Sequence, residues 1–317
     1  MEERAKAPWD DRREVEWLSY TVQPPCGLVK GSYYKAEKEF GMAKWTPGHH
    51  GMLEVVRDEK GDIIFVEFNE RCMDMYYCHY FSNMDKRRSD YGIWQASKER
   101  QRKLGIVLAD GMRHVEQQIM ARQSLEGDFE LLAGASGSMR QMLPMTEILA
   151  ETIKKPSSQH YYSLSKDFGC GLTGWLRIVA EDKKIVSLKY DEVFADHQDE
   201  IWYPELKRYY KQSKCCSPGF EEPFPPGWNI HAWLIGFRDL MDILERHVLE
   251  TQKPLEIEGL PHTDGENIGF VWDRKSVSDR PIEPYVKGKP RPRHPVWDNY
   301  LALANELVGE MVNDGVL

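Results

Sequence analysis

The amino-acid sequence predicts an α+β protein made of two tandem copies of one domain, each an antiparallel sheet with helices packed on it. Three observations carry the prediction. Tyr33-Tyr34-Lys35-Ala36-Glu37-Lys38-Glu39-Phe40-Gly41 returns as Tyr161-Tyr162-Ser163-Leu164-Ser165-Lys166-Asp167-Phe168-Gly169, an offset of 128 residues (33 to 161). Self-similarity at a domain-sized spacing marks a repeated unit. Each copy then enters two apolar alternating runs, residues 51–56 and 63–70 in the first and 174–179 and 185–192 in the second; alternation is the period of a half-buried strand. Finally, 317 residues with 41% hydrophobic and 29% charged side chains exceed one ordinary core and suit two.

The elements follow in chain order. Residues 1–27 read as an N-terminal extension without the apolar stretch of a signal peptide, so a cytoplasmic protein is expected. The first copy spans 28–153. Its two alternating runs are joined by the polar, compact turn 57–62, and the second copy repeats this at 180–184, which is hairpin chemistry. Helices are expected at 97–103 and 112–122, and in the second copy at 204–211 and 232–250. In the last, Trp233, Phe237, Leu240, Met241, Leu244 and Val248 recur by threes and fours and make one apolar stripe for a core. A short strand, 129–132 or 255–257, is expected to close each copy before a final helix at 145–153 or 299–312. Residues 154–158, Lys-Lys-Pro-Ser-Ser, read as the linker, and 159–317 as the second copy with a Pro- and Arg-rich insertion at 261–295.

A net charge of -9 and a pI near 5.7 argue against nucleic acid or an anionic membrane as a partner. The basic runs Lys86-Arg87-Arg88 and 287–293 are too short to reverse that. No window approaches a membrane span. In a reducing compartment Cys26, Cys72, Cys78, Cys170, Cys215 and Cys216 are expected as free thiols. Residues 72–79 carry metal-capable atoms but not the paired spacing of a zinc site, so no metal is expected. Loops for nucleotide phosphates, a zinc-protease helix motif and a nucleophile elbow are all missing from the sequence.

The order of a Tyr- and Gly-bearing strand, a hairpin of the form D-x-K-I-V-x-L-x-Y-D-E, a helical middle and a small-residue loop feeding a last helix resembles the FMN-binding domain family. That family includes flavinylated subunits of sodium-pumping quinone reductases and flavin modules of fumarate reductase-like enzymes. Its members attach FMN through a phosphoester to Thr or Ser in a loop of the form D-x-x-S-G-A-T or its Ser variant. This chain reads Glu130-Leu131-Leu132-Ala133-Gly134-Ala135-Ser136-Gly137-Ser138 at the matching point. The resemblance makes Ser136 the acceptor and Glu130, Ala133, Gly134, Ala135, Ser136, Gly137 and Ser138 the cofactor-binding set, with covalent and non-covalent FMN both open. The chain departs from the family at Glu130 for Asp, at Ala133 for Ser and at Pro144 near the next helix. The corresponding stretch of the second copy, 258–265, lacks Gly-Ala-Ser, so one flavin per chain is expected.

Apart from any resemblance, Gly134 and Gly137 permit positive φ and a close backbone approach, and small residues leave room for a bulky cofactor. His49 and His50 are the candidate acids beside a substrate, as reduction at a flavin often needs a proton. The expected function is therefore FMN-dependent oxidation–reduction or electron transfer on a small aromatic or conjugated substrate in a cleft between the copies. A flavin reductase or another electron-donor protein would be the partner. Two alternatives remain open: a cofactor-independent isomerase or lyase using His or Tyr as acid and base, and a non-catalytic ligand-binding protein.

Overall fold

A computed structural model describes residues 14–41, 48–73, 76, 81–202, 204–217, 237–260 and 295–317. There are six described strands: β1 (Gly27–Phe40), β2 (His49–Arg57) and β3 (Ile63–Arg71) are ordered β3-β2-β1, and β4 (Gln159–Asp167), β5 (Leu172–Glu181) and β6 (Lys184–Phe194) are ordered β4-β5-β6, with antiparallel pairing. The helices are α1 (Tyr91–Ala96), α2 (Glu99–Leu104), α3 (Leu108–Arg122), α4 (Ser136–Met142), α5 (Pro144–Thr152), α6 (Phe237–Thr251) and α7 (Pro295–Asn313). The architecture is α+β. Among the described residues no helix is long and apolar enough to cross a membrane. The chain divides into two compact units, the first running to Val22 and from Lys30 to Tyr161, the second comprising Gln23–Val29 and Tyr162–Leu317.

In the first unit β2 pairs antiparallel with both β1 and β3. The turn between β2 and β3 closes because the Asp58 carboxylate accepts the backbone N–H groups of Lys60 (2.9 Å) and Asp62 (2.8 Å) while Gly61 takes φ +88°, an Asp–Gly solution to chain reversal. Leu108, Met112, Val115 and Ile119 of α3 recur by fours and threes and are buried, forming one core with Leu53, Val55, Phe68, Met142, Met145 and Leu149. Residues ahead of β1 belong to this unit: Leu18, Tyr20 and Val22 alternate and are buried, and Arg88 Nε donates to the Val22 carbonyl at 3.0 Å. The stretch after α5 is held to it as well. Tyr34 donates its hydroxyl to Lys155 O (3.0 Å), and Ser157 donates to Tyr33 O (2.7 Å).

These orders leave β3 and β6 each at an end, where unpaired backbone groups invite pairing with other chains. Side chains of the helix-bearing segments cover them. Gln123, just past α3 at φ +54°, accepts the Ile63 N–H (2.6 Å) and donates to the Ile63 carbonyl (3.0 Å). Further along, Glu116 accepts the Phe68 N–H (2.7 Å), Arg87 donates to Phe68 O (2.9 Å), and the Lys86 N–H donates to Glu70 O (2.8 Å). The second unit repeats the device on β6. Gln252, past α6 at φ +60°, brackets Ile185 N (2.7 Å) and O (3.1 Å), and the Lys214 N–H donates to Glu192 O (2.9 Å). The turn into β6 is tighter than its counterpart, with Asp182 and Lys183 both at positive φ (50° and 60°), the conformation of a two-residue hairpin.

The sequence-based element assignments need three corrections. Residues 129–132 and 255–257 are not strands. In the first unit the reason is visible: Gln118 accepts the Glu130 N–H (2.9 Å) and donates to the Glu130 carbonyl (2.9 Å), so a side chain takes the bonds that a strand partner would supply. The helix expected at 97–103 is α2, which starts only at Glu99 because Lys98 adopts an extended conformation, and the short helix α1 ahead of it was not expected. Pro144, the departure near the next helix, is the first residue of α5, where its missing N–H costs nothing. Residues 204–211 form a 3-10 helix, Pro204–Tyr209, rather than an α-helix. The stripe of α6 faces a core through buried Phe237, Leu240, Met241, Leu244 and Val248, while Trp233, the 261–294 part of the insertion, the basic run 287–293 and Cys78 with His79 lie outside the described residues.

Candidate functional site

Two sites stand out in the first unit. The first is the small-residue loop ahead of α4. Its entry is fixed by α3, where Gln118 holds Glu130 as above and Arg122 donates to Asp128 O (2.7 Å). Gly134 takes φ +106°, a region open in practice to glycine alone. The next residue, Ala135, is buried against Gly111 of α3; a Cβ on Gly111 would lie 2.3 Å from the Ala135 Cβ. Two glycines thus set the loop's shape, one by torsion and one by close approach. Ser136 opens α4 and is half-buried, Gly137 is exposed, and Ser138 is half-buried. Among the described residues neither serine hydroxyl has a hydrogen-bond partner.

Beside this loop lies an open cavity of about 460 Å³ lined by Glu99, Arg100, Lys103 and Leu104 of α2 and by Ala133. A volume of that order suits a small-molecule ligand. Its polar side carries both signs, since Lys103 pairs with Glu99 at 2.7 Å. Glu130 is not among the residues lining the cavity: its carboxylate is exposed, and His114 Nε2 lies 4.0 Å from it. Of residues 130 and 133–138, Ala133 lines the cavity, Ala135 lies in the core, and Ser136 is half-buried at the start of α4.

The second site is buried at the end of β3. Glu70 is wholly buried and its Oε1 takes the ammonium of Lys86, itself 4% exposed. His49 Nδ1 lies 3.6 Å from the same oxygen and accepts the Met73 N–H at 3.2 Å, which leaves the ring proton on Nε2. Burial, with Lys86 adding to it, lowers the His49 pKa to about 4. The imidazole meets the Tyr76 ring edge-on at 4.7 Å, and the Lys86 ammonium lies over the rings of Tyr76 (5.2 Å) and Tyr91 (4.8 Å). Burial pushes the carboxyl of Glu70, the thiol of Cys72 and the hydroxyl of Tyr91 upward. His50, one residue on, points to the other face and meets Glu37 at 3.4 Å in a half-exposed pair. The structure therefore separates the two candidate histidines: His49 joins a buried polar cluster, His50 does not.

Sequence reasoning missed Glu70 and Lys86 as a pair. The signal was present in the repeat. Glu70 corresponds to Glu192 and Lys86 to Lys214, and in the second unit the Lys214 Nζ again meets the glutamate, at 2.5 Å. The residue before each glutamate repeats too. Asn69 Oδ1 accepts the N–H groups of Glu70 (2.8 Å) and Arg87 (3.4 Å), as Asp191 Oδ1 accepts those of Glu192 (2.8 Å) and Cys215 (3.1 Å). Among the described residues no group of His, Cys, Asp and Glu could hold a metal ion. No protein-family model, no curated protein and no solved structure matches this chain.

Proposed function

We propose that the chain is an FMN-dependent oxidoreductase or electron-transfer protein whose first unit carries the cofactor at residues 130–138. The observation that supports this reading is the half-buried, unbonded hydroxyl of Ser136, three residues beyond Ala133, which lines an open cavity of about 460 Å³, on a loop shaped by Gly134 and Gly111. The residues fit the group. Ser136 offers the oxygen for a phosphoester, the exposed guanidinium of Arg100 offers charge to a phosphate, and Ala133 with Leu104 offers an apolar wall to a ring system. Bound FMN supplies hydride or electron transfer, and the protein's part is to hold it and tune its surroundings. The substrate class is a small organic molecule, and a separate donor protein supplies electrons.

The test is the visible absorption of the protein produced with a flavin transferase, before and after acid precipitation. Flavin in the pellet, lost in Ser136→Ala, is the expected result for covalent attachment. Flavin released to the supernatant means a non-covalent pocket at the same loop. A colourless protein that also takes up no added FMN overturns the reading.

A further inference from the structure

The twin glutamate–lysine frames differ in one respect. In the second unit every oxygen of Glu192 is engaged: Oε2 by Lys214, and Oε1 by the Tyr190 hydroxyl (2.8 Å) and the Asn299 amide (2.9 Å). In the first unit Phe68 stands where Tyr190 stands, two residues before the glutamate. Gly51, the cross-strand partner of Glu70, leaves room for the Phe40 ring and the Met145 thioether, whose Cε1 and Cε would lie 2.8 and 3.2 Å from a Cβ at that glycine. Gly174 is the matching partner of Glu192, and there the final helix sends in Asn299. Both neutral donors have thus been replaced by groups that cannot donate. Glu70 Oε2 is left buried with no partner, a costly arrangement for a charged carboxylate. The first unit also has an imidazole at this point, His49, where the second has Leu172 by the 123-residue offset that relates Gly51 to Gly174.

We propose that Glu70 and His49 form a proton-transfer pair in the first unit, with Lys86 as its fixed charge, and that the second unit keeps the same frame as a sealed structural copy. Protonated Glu70 carries the hydrogen on a carboxyl oxygen. The proton sits on Oε2, the oxygen without a partner, while His49 Nδ1 lies 3.6 Å from Oε1; a turn of the carboxyl group or one water brings the two together, and the O–H bond breaks as Nδ1 takes the proton. The Met73 N–H leaves Nδ1 at that moment, the carboxylate stays paired with Lys86, and the imidazolium releases its Nε2 proton to water or to a bound ligand. His49 suits the outer position, since its side chain keeps 12% exposure while Glu70 keeps 1%. Burial raises the proton affinity of Glu70 and Lys86 opposes it; Cys72, Asp85, Asp90 and Tyr91 are the other titratable groups around it. The proposal does not depend on flavin, because proton transfer serves acid–base chemistry of either kind.

The test uses the full chain with carbon-13 in its glutamate carboxyl groups, followed by NMR against pH. The Glu70 signal is identified by its loss in Glu70→Gln, or by its displacement in Glu70→Asp if the first variant does not fold. It is expected to titrate above the ordinary carboxylate range. Phe68→Tyr combined with Met145→Asn, which supplies the twin's two donors, is expected to lower the midpoint by one pH unit or more, about a tenfold loss of proton affinity. A Glu70 signal that stays charged at every pH at which the protein is folded overturns the proposal, as does a midpoint unmoved by the double variant. Either result makes Glu70 a permanent counter-ion of Lys86.

Discussion

A charge removed from water must meet an opposite charge, and residues 86–88 show how little of that is visible in composition. Lys86-Arg87-Arg88 reads in the sequence as a short basic run. In the structure Lys86 pairs with Glu70, Arg87 with Glu116 (2.5 Å) and Arg88 with Glu67 (2.5 Å), all of them largely buried. Arg87→Ala is expected to cost about 3–5 kcal/mol in urea unfolding, because Glu116 stays buried without its partner. Arg87→Met with Glu116→Leu, which removes both charges, is expected to recover only part of that loss, since the Phe68 N–H and carbonyl then lose their partners. His49 makes a second residue-scale prediction. Folding lowers its pKa from 6.5 to about 4, so between those values the unfolded chain binds more protons and stability falls as the pH falls. The contribution is fully present above about pH 6.5 and amounts to at most about 3 kcal/mol. His49→Leu, the residue of the twin, should flatten the wild-type loss of thermal stability on acidification through that window. Equal slopes for the two proteins would mean that the imidazole is not held neutral by its burial.

Among the elements, the edge strands and the small-residue loop depend on single side chains. Gln123 brackets both backbone groups of Ile63, and Gln123→Ala should lower stability by about 1–3 kcal/mol and raise self-association, as unpaired edge groups do. Gln252→Ala should do the same on β6; a change in only one of them would break the equivalence of the units. The loop prediction concerns Gly111. A methyl there would meet the Ala135 Cβ at 2.3 Å, so Gly111→Ala must displace the loop, at about 1–3 kcal/mol. Flavin content is expected to fall further than stability does, and unaltered flavin content would separate the loop from the cofactor. Strands β2, β3, β5 and β6 and the stripe of α6 were legible in the sequence because their periods are local. The strands expected at 129–132 and 255–257 were not, because whether an extended segment joins a sheet depends on what lies beside it. For Glu130 that neighbour is the side chain of Gln118, twelve residues away.

The whole molecule carries one frame twice with different contents. Because the second unit has no Gly-Ala-Ser segment at 258–260, full-length protein reconstituted with FMN is expected to hold one flavin per chain by absorbance against protein mass; a ratio of two would assign a cofactor to the second unit as well. The sequence by itself determined the duplication, the paired hairpins, the apolar faces of the long helices and the loop at 130–138, since repetition, period and glycine placement are written in the order of residues. Which glutamates are buried, which lysines answer them, that His49 belongs with Glu70 while His50 does not, and that the first unit's frame lacks the donors of the second were decided only by the tertiary structure. The physical reason is that burial and pairing are relations between segments distant in sequence, such as β3 and the loop bearing Lys86 in the first unit or β6 and α7 in the second, and packing alone brings each pair within reach.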